Sequence, residues 1–228
     1  MNSKETRSFI CDVRAEQDEQ HGAYITGMPI VYNQWTDMGW YREMIRCGAL
    51  DGCDLKDVRF LTGNNTSMVP LARSRNNNEN STMQLIPTTE GLEIRVNLDI
   101  ENNAEARALY SAIKRGDISG MSFMMIADRD KDVWTDVESD YPSREITSLI
   151  RVLEVSAVAF PAYEQTSIQV ASEDSALDSA RASLESAKQK LAEERAAQEA
   201  AEAEAERRTA ALEKLNKLIQ EVNGNEIR

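Results

Sequence analysis

The chain has 228 residues and a net charge of −13, which argues against nonspecific binding to nucleic acid or to an anionic membrane, since both need a basic face. No run approaches the roughly 18 apolar residues of a membrane span, and residues 1–7 lack the apolar stretch of a signal peptide. Aromatic residues make up only 6% of the chain, which indicates that part of it lies outside a globular core.

The cysteines and the histidine limit the chemistry that the chain can carry. Cys11, Cys47 and Cys53 form no Cys-x-x-Cys pair, which predicts free thiols in a reducing cytoplasm. His21 is the one histidine of the chain, so a zinc site is not expected.

The first part of the chain predicts a β-hairpin. Residues 8–14 alternate between apolar and polar side chains, and residues 23–32 are rich in β-branched and aromatic residues, with Gly27 and Pro29 indicating a bulge. The polar turn between these strands carries His21, which we expect to be a surface residue.

The next predicted elements are short. Residues 40–47 predict a helix, and residues 58–61 predict an apolar strand that ends in the polar break Gly63-Asn64-Asn65. Residues 82–87 and 92–100 alternate in character and predict a second hairpin.

The following stretch contains one helix and several strands. Residues 103–115 predict a helix with an asparagine cap at its start and Gly116 at its end. Residues 118–127 predict a strand with which residues 133–137 pair back, and residues 146–150 and 152–160 predict two more strands. Many short strands with few helices favour an antiparallel barrel or sandwich.

The composition changes after about residue 171, where alanine, glutamate, lysine, arginine and leucine dominate and predict one long helix. Leu177, Leu184, Leu191, Leu212 and Ile219 fall on one heptad position, and the position three residues later carries Leu215 and Val222. This pattern predicts self-association or packing on a partner helix. A single solvated helix is the alternative, because the middle of the array is polar.

Three places in the chain are candidates for chemistry. Ser122 lies among apolar residues after Gly120, where a structural hydroxyl is the simpler interpretation and a nucleophile the sharper one. Glu154 lies in an apolar strand, where a carboxylate is costly unless paired, so a salt bridge to Arg144 or Arg151 is the alternative to a functional role. The asparagines after Gly63 are, on the residues alone, turn residues.

These stretches together resemble the prohead protease family of tailed bacteriophages, the capsid-maturation serine proteases related to herpesvirus assemblin. The resemblance covers roughly residues 8–168 and rests on the order and spacing of several segments. The matching segments are residues 25–32, 42–45, 48–50, 70–74, 91–92, 116–123, 154–156 and 160–163. The resemblance implies an α+β fold, mainly an antiparallel β-barrel of the assemblin-like type, over residues 1–170. Residues 171–228 would then be a long helical or coiled-coil, scaffold-like tail.

The resemblance also implies roles for individual residues. The family's Gly-x-Ser-Phe segment carries the nucleophile, which corresponds to Ser122, and its Glu-Val-Ser segment carries the acid that orients the base, which corresponds to Glu154. The family's histidine base precedes a Pro-Leu-Ala-Arg stretch, and this position holds Asn64. An asparagine side chain cannot accept the serine proton near neutral pH, so we expect the chain to be nearly inactive. His21 is not expected to replace the base.

Two explanations for Asn64 are open: an inactivating substitution that traps the uncleaved state, which we favour, or a natural residue of a protein with only an assembly role.

The substrates implied by the resemblance are the scaffolding segments of the capsid precursor and the protease itself. The implied location is the immature capsid in the host cytoplasm, with no metal or other cofactor. The alternative function is a non-enzymatic assembly scaffold that acts through the C-terminal helix. A bacterial adaptor with a coiled-coil tail is a third, weaker alternative.

Overall fold

The computed structural model describes residues 4–19, 22–159 and 173–225. These residues contain many β-strands and two α-helices, so the fold is a mixed α+β fold. In the first half of the chain the elements are β1 (Lys4–Ile10), β2 (Arg14–Asp18), β3 (Gly22–Val31), β4 (Thr36–Asp37), β5 (Arg42–Ile45), β6 (Arg59–Thr62), β7 (Ala72–Arg73), β8 (Met83–Pro87) and β9 (Gly91–Asn97). In the second half they are α1 (Ala104–Arg115), β10 (Gly120–Ala127), β11 (Val133–Thr135), β12 (Ser143–Ile146), β13 (Leu149–Val158) and α2 (Glu173–Asn225).

The strands of the described residues form three sheets. The strand orders are β1-β10-β13-β6-β7, β11-β12-β5-β4 and β2-β3-β9-β8. No closed barrel forms among these strands, so the prediction of a barrel is wrong. Most neighbours are antiparallel as predicted, but β13 pairs in parallel with β6, and β12 with β5. Both parallel pairs join strands about one hundred residues apart, and hydrophobic alternation carries no information about such pairing.

Several local predictions are confirmed. Helix α1 begins after Asn103, whose side chain accepts hydrogen bonds from the backbone N–H groups of Glu105 and Ala106. The helix ends at Gly116, which has a left-handed backbone with φ of 81°. The hairpin of β8 and β9 and the long helix α2 also form as the sequence predicts.

Three local predictions are wrong because tertiary pairing prevailed over local pattern. Residues 42–45 form strand β5 instead of a helix, since they lie between β4 and β12 in a sheet. The predicted first strand divides into β1, which pairs with β10, and β2, which pairs with β3. Strand β11 pairs with β12 and does not return to β10.

The hydrophobic core lies between the sheets and helix α1. Its members alternate along β3, β9 and β10 and recur at helical spacing on α1, as expected for elements buried on one face. They include Ile25, Ile94, Val96, Leu109, Ile113, Phe123 and Val155.

A buried cluster of charged side chains connects the five-stranded sheet to the sheet of β5 and β12. Arg144 on β12 is fully buried and forms ion pairs with Glu5 (3.0 Å), Glu43 (2.8 Å) and Asp132 (2.7 Å). Arg7 on β1 pairs with Glu5 at 2.7 Å and with Glu43 at 2.5 Å. Although burial opposes ionisation, Arg7 and Arg144 lower the pKa of Glu5 to about 2.

The first turns of α2 contact this charged cluster. The Ser179 hydroxyl donates to Glu5, and the Ser183 hydroxyl donates to Asp132 at 3.0 Å while it accepts a hydrogen bond from the Trp134 indole at 2.9 Å. The chain divides into two compact units, Met1–Leu184 and Glu185–Arg228, so these contacts lie inside the first unit. The predicted domain boundary at residue 170 lies outside the described residues.

Within the described residues, neither helix combines the length and the apolar character that crossing a membrane requires.

We predict that Arg144→Ala lowers the free energy of unfolding by about 3–5 kcal/mol, because it removes the arginine that pairs with buried Asp132 and one of the two that pair with Glu5 and Glu43. Urea unfolding at neutral pH measures this change. The control is Arg46→Ala, since Arg46 is half exposed and pairs with Glu145 at the surface, where an ion pair contributes about 1 kcal/mol or less. Equal losses in the two variants would show that the buried cluster adds no special stability.

Candidate active site

Ser122 lies on β10, three residues into the strand and shortly after helix α1. The left-handed backbone of Gly116 ends the helix and lets the Asp117 N–H return to the Ala112 carbonyl, which turns the chain toward the sheet. Ser122 has no exposed surface, and its hydroxyl has no hydrogen-bond partner among the described residues. An unpartnered buried hydroxyl is costly, and this one keeps its hydrogen-bonding capacity for another group.

The neighbours of Ser122 in the sheet are also serines. Ser122 is the register partner of Ser8 on β1 and of Ser156 on β13. Register partners in an antiparallel sheet point to the same face, so the three side chains form a row across three strands. The flanking residues Met121 and Phe123 point to the opposite face and belong to the hydrophobic core.

Glu154 lies on β13, two residues before Ser156, and therefore shares its face of the sheet. It is 3% exposed and accepts a hydrogen bond of 2.6 Å from the Ser156 hydroxyl on Oε2, while Oε1 has no partner among the described residues. The salt bridge that was the alternative to a functional role does not form, because Arg144 belongs to the buried charged cluster and Arg151 pairs with Asp54 at 3.5 Å.

Burial without a counter-charge changes the acidity of Glu154. Loss of hydration raises its pKa to about 7, and the hydrogen bond from Ser156 only partly opposes this rise. A carboxyl group with this pKa exchanges a proton near neutral pH, which is the property that a general acid or base needs.

Asn64 lies in the tight turn that follows β6. Gly63 and Asn64 have φ values of 65° and 57°, as in a type I′ turn, and the Asn65 N–H donates to the Thr62 carbonyl. The Gly63 N–H donates to the Ala157 carbonyl at 2.9 Å, which holds the turn against β13. The Asn64 side-chain oxygen is buried without a partner among the described residues.

The three predicted site residues therefore lie on or directly after three adjacent strands, in the order β10, β13 and β6. Each of them carries a buried polar atom without a partner in the described part of the chain. No hydrogen bond joins Ser122, Glu154 and Asn64 directly to one another in this structure. His21 lies outside the described residues.

Ser156 is the residue whose part in the site the sequence reasoning missed. The Glu-Val-Ser segment contains Ser156 without giving it a role, although its spacing of two from Glu154 indicates a shared face of the strand. Its position opposite Ser122 depends on the pairing of β10 with β13, which local sequence does not specify.

No group of three or more potential metal-ligating side chains occurs in residues 4–19, 22–159 and 173–225.

The comparisons with known proteins gave one match. The family model described as caudovirus prohead serine protease matches residues 10–179, which is well over half of the chain. Neither the curated proteins nor the solved structures contained a match.

We predict that Glu154 makes stability depend on pH. Because its pKa is raised to about 7 in the folded state, its favourable contribution is complete below about pH 4.5 and is lost as the pH rises through 7. The free energy of unfolding of the unaltered chain, relative to that of Glu154→Gln, should therefore fall by up to about 3 kcal/mol between pH 4 and pH 8. Urea unfolding at a series of pH values measures it.

The control for this prediction is Glu93→Gln, which removes a charge from an exposed position of β9. A pH-independent difference between the unaltered chain and Glu154→Gln would contradict the burial argument.

Proposed function

The chain belongs to the caudovirus prohead serine protease family, and on that premise we propose that it is a serine endopeptidase of capsid maturation whose nucleophile is Ser122. The observation that carries this proposal is the placement of Ser122, Ser156 and Glu154 on one face of β10 and β13, with the turn of Asn64 at the neighbouring strand β6. A serine nucleophile and a buried carboxylate are two of the groups that enzymes of acyl transfer combine in their active sites.

The reaction that we propose is peptide hydrolysis through an acyl-enzyme. Ser122 Oγ attacks the carbonyl carbon of the scissile bond, a base at position 64 takes its proton, and Glu154 orients that base. Backbone N–H groups stabilise the oxyanion. Because Ser122 is fully buried in this structure, substrate access requires the residues that cover it to move.

Asn64 determines how fast this chain can react by that route. An amide nitrogen does not accept a proton near neutral pH, so the step that a histidine performs has no direct counterpart at this position. Loss of a general base typically costs about 10²–10⁴ in rate, and we propose that cleavage through position 64 is correspondingly slow. The backbone does not oppose a histidine there, since histidine tolerates positive φ almost as asparagine does.

The substrates that we propose are the scaffolding segments of the major capsid protein precursor and the chain itself, inside the immature capsid. This part of the proposal rests on the family and on the resemblance of its motifs. The net charge of −13 agrees with a protein partner rather than with DNA as the binding target.

A second candidate function is that of an assembly scaffold that acts through α2. Helix α2 has 53 residues, and Leu212 and Leu215 on it are 60% and 53% exposed. These two leucines occupy neighbouring heptad positions, where they would be covered if a second helix packed against them. The two functions are compatible, because a protease joined to a scaffold-like helix would be packaged with its substrate.

We predict that Asn64→His increases cleavage of purified capsid precursor by about 10²-fold or more, because it supplies the missing proton acceptor. The measurement is the rate of specific product formation on gels and by mass spectrometry. Adding Ser122→Ala to this variant should abolish cleavage.

The matched control is Asn76→His, which places a histidine at another asparagine with positive φ (55°), in the exposed loop between β7 and β8. If a folded Asn64→His variant cleaves no faster than this control, the role of residue 64 is wrong. If cleavage persists after Ser122→Ala is added, the role of Ser122 is wrong.

For the tail we predict that Leu212→Glu combined with Leu215→Glu shifts the full chain toward the monomer, because it introduces charge at the proposed helix contact. Sedimentation velocity over a range of concentrations measures the shift. Ala210→Glu is the control, since it changes an exposed alanine two residues before Leu212, outside the heptad contact. A monomeric unaltered chain at high concentration would contradict self-association through α2.

A further inference from the structure

The geometry around Ser156 connects the proposed nucleophile to a buried carboxylate. The Ser156 hydroxyl donates to Glu154 Oε2 at 2.6 Å, and Ser156 is at the same time the register partner of Ser122. Side chains of such partners lie on one face with Cβ atoms about 5 Å apart. All three residues are buried, so water does not compete for these contacts.

We propose that Ser156 relays the proton of Ser122 to Glu154, so that the chain contains a base for its nucleophile that does not require a histidine at position 64. This inference rests on the proposed function only in that it takes Ser122 as the nucleophile. It adds a catalytic hydroxyl, Ser156, and changes the role of Glu154 from orienting a base to accepting the proton.

The hydrogen-bonding capacity of the three groups permits this relay. A serine hydroxyl donates one hydrogen bond and accepts two, so Ser156 can accept from Ser122 while it continues to donate to Glu154. The Ser122 hydroxyl has no partner among the described residues, and rotation about its χ1 toward Ser156 therefore breaks no existing hydrogen bond.

The proton balance of the step is complete within the chain. Ser122 Oγ forms a bond to the carbonyl carbon, and the π electrons of the carbonyl move to its oxygen. The Ser122 proton passes to Ser156 Oγ, while the Ser156 proton passes to Glu154 Oε2 and neutralises the carboxylate. When the tetrahedral intermediate collapses, its C–N bond breaks and the carbonyl re-forms, Glu154 returns a proton to Ser156, and Ser156 gives its own proton to the leaving amine.

The surroundings of Glu154 suit a base. On β10 its register partner is the neutral Met124, and on β6 it is Arg59, whose guanidinium pairs with Asp57 at 3.3 Å. Burial dominates its acidity and raises the pKa to about 7, so the carboxylate exists above neutral pH and is more basic than an exposed glutamate. By contrast, the charged cluster lowers the pKa of Glu5, which makes that carboxylate a poor proton acceptor.

The test is covalent labelling of the full chain with an alkyl fluorophosphonate, which reacts with an activated serine. The Ser122 oxygen forms a bond to phosphorus, fluoride leaves, and the serine proton goes to the base. Mass spectrometry of the intact protein and of its peptides gives the labelling rate at Ser122 between pH 5 and pH 9. Variants to compare are Ser156→Ala, Ser156→Thr, Glu154→Gln, Ser8→Ala and Asn64→His.

Ser8→Ala is the matched control, because Ser8 is the other register partner of Ser122 but lies on β1, two strands away from Glu154. We expect the unaltered chain to label at Ser122 with a rate that rises through about pH 7. Ser156→Ala and Glu154→Gln should each lose at least about tenfold, while Ser8→Ala should not. Ser156→Thr keeps the hydroxyl and should keep most of the reactivity, which separates a relay from a packing effect.

Four results would overturn the relay. Equal losses in Ser156→Ala and Ser8→Ala would indicate general disturbance of the sheet. Full labelling of folded Glu154→Gln would exclude the carboxylate as the base. Labelling of Asn64→His without labelling of the unaltered chain would refute the relay and leave the protease proposal intact, whereas labelling of neither would refute both. Thermal melting of each variant identifies those that do not fold. If Ser156→Ala does not fold, the labelling of Glu154→Gln decides whether the relay is correct.

Discussion

The burial of charge around Arg144 is the constraint on which the arrangement of the first unit depends. Arg144 and Arg7 neutralise carboxylates from β1, β5 and the segment before β11, and the start of α2 adds two serine hydroxyls. A buried charge is tolerable only if its partners have good geometry. Because those partners come from separate sheets, the cluster restricts how the sheet containing Ser122 sits against the sheet of β5 and β12.

Two buried glutamates of the first unit differ in acidity because only one of them belongs to this charged cluster. Glu5 and Glu154 are 1% and 3% exposed, yet the pKa of Glu5 is lowered to about 2 and that of Glu154 is raised to about 7. The difference arises because Glu5 has two arginines beside it, whereas Glu154 has one serine hydroxyl. The fold therefore uses one carboxylate to hold its sheets together and keeps another able to exchange a proton on the face of the sheet that carries Ser122.

The site joins three strands that are far apart in the chain. β13 lies between β10 and β6, so Ser156 is paired with Ser122 on one side, while the Asn64 turn is held on the other side by the Gly63 hydrogen bond to Ala157. Residues 154–158 of β13 are buried on both faces, which explains why the strand reads as mostly apolar. Of its polar residues, Glu154 and Ser156 carry the proposed chemistry, and Arg151 pairs with Asp54.

The family and the candidate residues Ser122, Asn64 and Glu154 were recognisable from sequence, because the motifs are short, ordered segments. Helix α1 with its Asn103 and Gly116 caps, the β8–β9 hairpin and helix α2 were also predictable, since caps, turns and periodicity act over a few residues. Tertiary structure alone decided the three sheets in place of a barrel, the strand at residues 42–45, the parallel pairing of β13 with β6 and the position of Ser156 opposite Ser122. These features depend on which distant strands pair and which charges are buried together, and no local pattern of residues encodes either choice.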